Sequence, residues 1–447
     1  MSGLWDRLSG NAVIAANLRG QQRIPFLPRA RLEALRDRRI RRIVVHAARA
    51  VPYYREWFAR AGIDPRSVRG AGDLDRLPIL DRDMVRAEPQ RFVAAGRAAH
   101  GAVSFWTSGS TGTPIHIYHD RRSLLANIAY GERERAPVIA ACGTFRPKEL
   151  YVGYQTSTFK AVSAFYEAHT RLPVRPRRRF VSLLEPIETV AAIANSEQPD
   201  VLVGYGGWLG LFFRTVGARG ITLRPPKLVM SMGEALPHDA RAYIEGHFGV
   251  PVLSRYNAVE AFKIGFSCEQ RTGFHLHEDL CHVRVVDARG HTAAAGEPGQ
   301  LVISNLVNRA SVLLNYPIGD FAALSFAPCA CGRTFTRLSE LEGRVEDVLA
   351  LADGRFVHPR AVWQVLKSCD GLLQYQLAQR AARQFALTVW SVDEPAFRRI
   401  AEQARPALEQ LLGPQAQIDV GRGSAPDRRT GGKFRAVMAL TPPRPGA

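Results

Sequence analysis

Three stretches of this chain repeat one pattern: an apolar run, a turn, then a segment that reads as helix. The first is Pro199-Asp200-Val201-Leu202-Val203-Gly204-Tyr205-Gly206-Gly207-Trp208, with a helix expected from Leu209. The second is Lys227-Leu228-Val229-Met230-Ser231-Met232-Gly233-Glu234, with a helix starting near Pro237. The third is Val250-Pro251-Val252-Leu253-Ser254-Arg255-Tyr256-Asn257. Continuous apolar runs of this length suit strands buried on both faces. Strands alternating with helices argue for a layered α/β architecture. In such sheets ligands sit at the carboxyl ends of the strands, where Gly204, Gly233 and Asn257 all fall.

Ahead of these copies stands Ser104-Phe105-Trp106-Thr107-Ser108-Gly109-Ser110-Thr111-Gly112-Thr113-Pro114. Glycines let a backbone bend tightly and bring its N–H groups to an anion, and hydroxyls add short donors. The run suits phosphate. No Gly-Lys-Ser/Thr follows its second glycine, so it is not a Walker loop. A short alternating strand, Ile115-His116-Ile117-Tyr118, and a helix from about Arg121 to Arg135 are expected next. Upstream, Leu32 to Ala50 reads as helix from the spacing of Leu32, Leu35, Ile40, Ile43 and Val44, and Val51-Pro52 breaks it. From Gly273 the character turns to β, with strands expected at His282–Asp287 and Gly299–Ser304. A fresh small unit follows Gly343-Arg344-Val345-Glu346-Asp347. The expected fold is α/β. A large N-terminal domain, 1–343, combines layered α/β sheets with a β-rich subdomain, and a small α+β domain spans 344–447.

The formal net charge is +19, and the lysines number six: Lys148, Lys160, Lys227, Lys263, Lys367 and Lys433. Arginine wealth beside scarce lysine mostly reflects coding-sequence base composition; as a functional feature it would favour polyanions. The runs at Arg38–Arg42 and Arg175–Arg179 sit in no recognisable nucleic-acid module and read as solvated faces. No segment approaches the ~18 uninterrupted apolar residues of a membrane span, and Met1–Gly20 holds no signal-peptide core. A cytoplasmic protein that binds neither membrane nor nucleic acid is expected. Its six cysteines then read as thiols or metal ligands, not disulfides.

Thr107-Ser108-Gly109-Ser110-Thr111-Gly112-Thr113-Pro114 resembles the phosphate-binding signature of the adenylate-forming enzymes. Later motifs resemble the branch containing phenylacetate–CoA ligase and the capsule-biosynthesis adenylate ligases. The resemblance implies that Thr107, Ser108, Gly109, Ser110, Thr111 and Gly112 cradle the β- and γ-phosphates of ATP. Ser231-Met232-Gly233-Glu234 resembles the segment lying along adenine, which assigns Gly233 and Glu234 to the nucleotide. Arg255-Tyr256-Asn257-Ala258-Val259-Glu260 is similar to the family's Tyr-Gly-x-Thr-Glu motif. By position Tyr256 would stack on adenine and Glu260 would hold Mg²⁺. Asn257 replaces the family's glycine, narrowing the acyl pocket. Val259 replaces the threonine whose hydroxyl touches the α-phosphate, and a lost donor to developing charge costs about 10²-fold or more. Tyr316-Pro317-Ile318-Gly319-Asp320 resembles the segment whose aspartate binds both ribose hydroxyls. Arg344 would approach the nucleotide, Glu346 or Asp347 would serve as hinge, and Lys433 would bridge the substrate carboxylate and α-phosphate. The small domain is then a mobile lid that rotates after adenylation.

Cys268, His275, Cys329 and Cys331 flank the β-rich segment, with His277 as an alternative to His275. Three thiolates and one imidazole suit a closed, structural Zn²⁺ site, and members of this branch carry a similar set. The implied activity is adenylation of an aryl or apolar carboxylic acid by Mg²⁺-ATP, then transfer to a thiol. CoA is the default acceptor. A carrier-protein phosphopantetheine, a non-thiol acceptor, and a catalytically weakened nucleotide-binding relative remain alternatives.

Overall fold

The computed structural model describes residues 2–96, 101–106, 115–171, 177–287, 289–339, 343–344, 349–353, 355–357, 359–366, 368–423 and 435–440. Strands Arg177–Ser182, Lys148–Gly153, Val201–Gly204, Leu228–Met232 and Val252–Tyr256 lie side by side in that order, all parallel. The last three are the apolar runs of the repeated pattern, and each is almost wholly buried. They belong to a twelve-stranded sheet. Beyond Val252–Tyr256 the pairing turns antiparallel through Gly265–Phe266, Phe274–Leu276, Arg337–Leu338, Tyr316–Ser325, Pro298–Asn305 and Cys281–Val286. This is the β-rich part expected after Gly273.

Helices Gly206–Ala218 and His238–Phe248 follow the first two copies. The former starts three residues before Leu209. Gly206 makes that possible, since a Cβ there would stand 2.3 Å from the Ala235 carbonyl oxygen. Leu209, Phe212 and Phe213 of this helix pack on Val229 and Val252 of the sheet. On the other side, Ile40, Ile43, Val44, Tyr54 and Phe58 from helices Arg29–Ala50 and Pro52–Ala61 share a core with Ile303, Leu314 and Tyr316.

The last three residues of the run Arg175–Arg179 open an outer strand, Arg177–Ser182, where Arg178 pairs with Glu149 and Arg179 with Glu197, while Arg177 and Arg179 stay exposed. Charge on an outer strand discourages pairing with another chain. In the other arginine run, the helix sorts its cations by face: Arg39 reaches inward to Asp279 at 3.3 Å, while Arg38, Arg41 and Arg42 are exposed.

From Leu349 onward the chain builds a separate core of Leu349, Val362, Leu366, Leu377, Leu387, Ile400, Leu408 and Val437. Its four-stranded sheet runs Gln417–Arg422, Gln384–Ser391, Leu372–Ala381, Val437–Met438, backed by helix Glu394–Leu412. It meets the large unit at helix Gly206–Ala218, where Gln374 Nε2 donates to the Gly207 carbonyl at 3.4 Å and Arg214 to that of Leu372 at 3.5 Å. Among the described residues no helix is long and apolar enough to cross a membrane.

Candidate active site

Gly233, Glu234, Tyr256 and Asn257 fall at or just past the carboxyl ends of two neighbouring parallel strands. Tyr256, at the end of its strand, donates its hydroxyl hydrogen to Asp320 Oδ2 at 2.6 Å, across 64 residues of sequence. A hydrogen bond to a carboxylate is worth about 1.5–3 kcal/mol, so each residue holds the other in place. Gly319 takes φ 90°, and the Arg82 guanidinium lies where a Cβ would project, 2.5 Å away. A side chain at 319 would be strained and would collide with Arg82. The same Asp320 pairs in register with Arg344 of the short strand Gly343–Arg344. Backbone pairing thus sets Arg344 opposite Asp320; its side chain lies outside the described residues.

Glu260 is buried. The Tyr316 hydroxyl faces both it and Arg82: burial first, then Glu260, push that hydroxyl's pKa up, and Arg82 opposes them. The loop between Tyr256 and Glu260 is held by its own polar groups. Asn257, with its amide nitrogen toward the chain, donates to the carbonyls of Tyr256 at 2.9 Å and Phe262 at 3.2 Å. The amide that replaces the family glycine is therefore engaged within the loop. Asn305 Nδ2 donates to the Glu260 carbonyl at 2.8 Å. His119 Nε2–H donates to the Val259 carbonyl at 2.7 Å, and burial pushes this imidazole down to about 4. It is neutral at pH 7, which lets Nε2 act as a fixed donor.

Gly233 turns with φ 81°, and a Cβ there would meet the Tyr205 ring at 2.8 Å. The Glu234 carboxylate accepts from the Gly207 N–H at 3.2 Å, at the start of helix Gly206–Ala218. That is a favourable seat for an anion. Tyr154 and Tyr205 meet beside this turn with ring centroids 5.6 Å apart.

Several candidates lie outside the described residues: Thr107, Ser108, Gly109, Ser110, Thr111, Gly112, Glu346, Asp347 and Lys433. Their flanks are described. Strands Val103–Trp106 and His116–His119 form a hairpin in which Trp106 pairs with His116, so both ends of the phosphate-loop sequence meet. Past Lys433, the Arg435 carbonyl accepts from Gln376 at 3.0 Å and Ala436 pairs with Leu377. Arg82, His119 and Asn305 were not among the sequence candidates. Arg82 ends Leu77-Pro78-Ile79-Leu80-Asp81-Arg82, which reads as plain scaffold without its neighbours.

A second cluster stands on the antiparallel side. The donor atoms of Cys268, His275, Cys329 and Cys331 all lie within 4.8 Å of one another. Cys268 Sγ is 3.8 Å from Cys329 Sγ, and Cys331 Sγ is 3.3 Å from His275 Nε2. Around a tetrahedral zinc, bond lengths of about 2.3 Å to sulfur and 2.0 Å to nitrogen put neighbouring donors roughly 3.5–3.8 Å apart. The donor set and its spacing fit that ion. His277 is used elsewhere, its Nε2 lying 2.9 Å from Glu134.

No family model matches the chain. A phenylacetate-coenzyme A ligase of Thermus thermophilus is 27% identical over 94% of this chain and 99% of its own length. One from Escherichia coli is 26% identical over 72% of each chain. Among solved structures, 2-hydroxyisobutyryl-CoA ligase in its postadenylation state with an acyl-AMP superposes with a TM-score of 0.72 at 18% identity, covering 94% of this chain and 91% of that one. An anthranilate CoA ligase with anthranoyl-AMP superposes at 0.52 with 14% identity, over 76% and 67%. The fold is that of the adenylate-forming CoA ligases. By sequence the chain is similar to curated phenylacetate-coenzyme A ligases, over nearly its whole length in the Thermus thermophilus protein.

Proposed function

We propose that this protein is an AMP-forming acid–thiol ligase. A substrate carboxylate oxygen attacks the α-phosphorus of ATP, the bond to the bridging oxygen breaks, and pyrophosphate leaves. A thiol then adds to the acyl carbon, gives up its proton, and AMP departs. The observation that carries this reading is the Tyr256–Asp320 hydrogen bond, which joins the residues assigned to adenine and ribose at the carboxyl end of the parallel sheet.

Asp320 would take the ribose hydroxyls, Tyr256 the adenine, and Glu260 would offer a hard oxygen to Mg²⁺. Bound Mg²⁺ would neutralise phosphate charge. Thr107–Gly112 would hold the outer phosphates, and Lys433 would supply a cation between carboxylate and α-phosphate. Glu346 or Asp347 would act as hinge as the small domain, 344–447, turns. Arg82 offers a further cation beside the Tyr316 hydroxyl, which Glu260 also faces. Tyr154 and Tyr205, with Gly233 beneath, suit an aryl or apolar acid. CoA is the expected thiol; a carrier-protein phosphopantetheine and a non-thiol acceptor are outcomes the second step distinguishes. The Cys268, His275, Cys329, Cys331 set would bind Zn²⁺ as a structural clamp, in keeping with a reducing cytoplasmic setting.

The test is acid-dependent pyrophosphate–ATP exchange with a panel of aryl and apolar acids, then thioester formation with CoA. Exchange that depends on an acid supports the reading. Absence of exchange with every acid, in protein that binds ATP, favours a catalytically weakened nucleotide-binding relative. Val259, which lacks the hydroxyl at the α-phosphate position, is the observation behind that second reading. Recovery of exchange in Val259→Thr would attribute the loss to that one group.

A further inference from the structure

The loop carrying Tyr256 and Glu260 begins and ends on one carboxylate. Arg255, immediately before Tyr256, sets its Nε 3.0 Å from Glu134 Oε2. Lys263, just beyond Glu260, sets its Nζ 2.9 Å from Glu134 Oε1. His277 Nε2 reaches the same Oε1 at 2.9 Å. Glu134 closes the short 3₁₀ turn Gly131–Glu134, and its side chain is 1% exposed. Burial on its own would raise this carboxyl, but the charges of Lys263 and Arg255 and the contact with His277 outweigh it and hold it well below the usual range. The anion is permanent at neutral pH, and its two cations cannot leave without exposing buried charge.

The rest of the loop is anchored from other directions, by His119 on the Val259 carbonyl and Asn305 on the Glu260 carbonyl. Those bonds fix the tip. At the base, Arg255 and Tyr256 pair with Phe266 and Gly265 of the next strand, and the two ion pairs to Glu134 tie Arg255 to Lys263 across the loop.

A neighbouring buried pair provides the contrast. Arg133, one residue away, makes a bidentate pair with Asp279 at 2.6 and 3.0 Å, and both side chains are fully buried. Arg133 gives its described hydrogen bonds to Asp279 and Gln21, and acts on Lys263 of the loop through its charge alone.

We propose that Glu134 is a positioning residue for the nucleotide: its carboxylate closes the Arg255–Lys263 loop at its base and so sets where Tyr256 and Glu260 stand. The identity of the nucleotide rests on the ligase reading above, so the test reads binding as well as turnover. In Glu134→Gln, the calorimetric Kd for Mg-ATP should rise about tenfold or more. The KM for ATP in exchange should rise in parallel while the KM for the acid holds. A fraction of unfolded protein lowers the apparent kcat and leaves KM alone, so this split separates positioning from stability. Glu134→Gln also strands two buried cations, so the charge-balanced Glu134→Gln/Lys263→Met protein is measured beside it and should show the same weakened ATP binding. As a control, Arg133→Met/Asp279→Asn should lower Tm and keep the Kd for ATP within about twofold. Wild-type affinity for ATP in both Glu134 proteins would overturn the proposal, whatever happens to Tm. Weakened ATP binding in a protein whose wild type exchanges with no acid would sustain the positioning role and defeat the ligase reading instead.

Discussion

Two imidazoles, His275 and His277, project from one short stretch of chain against the same Phe266 ring, at 5.9 and 5.1 Å, yet they serve different kinds of buried centre. His275 turns to three cysteine sulfurs. Among those donors no carboxylate is present to balance a charge, and the group is chemically complete only around a cation. His277 turns to Glu134, whose carboxylate is already met by the cations of Arg255 and Lys263. One centre needs something from solution; the other is self-sufficient. The first should govern whether the antiparallel half stays folded, and the second where the nucleotide residues stand.

The comparison breaks most clearly through the cysteines. Cys329→Ser should lose about one equivalent of zinc per chain by elemental analysis and lower Tm by roughly 4–8 °C or more, because metal binding adds directly to folding free energy. The KM for ATP should stay put in the protein that remains folded. Metal-free wild type with an unchanged Tm would remove the metal assignment. A smaller effect tests the other centre's output. Tyr256→Phe deletes the donor to Asp320 and should raise the KM for ATP by about tenfold, in line with the loss of one charge-assisted bond. Tm should move little, and an unchanged KM would count against the adenine and ribose roles. The smallest expected effect concerns pH. His119 is held neutral, with its pKa pushed down to about 4, whereas the unfolded chain titrates near 6.5. Between those values the unfolded state binds the extra proton, so stability falls as pH drops from about 6.5 to 4. In His119→Asn, which keeps a donor, the denaturation midpoint should depend less steeply on pH across that window. An identical slope would mean that other groups carry it.

Local pattern made much of this legible. The apolar runs at Val201–Gly204, Leu228–Met232 and Val252–Tyr256 are strands because their composition tolerates burial on both faces, and their turns do sit at the carboxyl ends. The four soft metal donors were readable as residue types. What the sequence withheld are pairings between distant segments. Nothing near Glu134 points to Arg255, more than a hundred residues away, and nothing local distinguishes His275 from His277. Arg175–Arg179 read as a solvated face, and its strand character stayed hidden because an edge strand can carry arginines whose partners, Glu149 and Glu197, lie on other elements. The Glu234 carboxylate meets the N–H of Gly207, a partner set by packing and not by spacing.

The separate core of the C-terminal unit has an energetic consequence. Turning that unit against the large one leaves Leu377, Leu387, Ile400 and Leu408 buried among themselves. The described contacts that must be exchanged include Gln374 to Gly207 and Arg214 to Leu372, each worth about 1 kcal/mol net. A gap of that size lies within the differential affinity of an ordinary ligand for two states. In the proposed ligase, where the small domain turns, occupancy of the nucleotide site would therefore weigh in the choice between orientations.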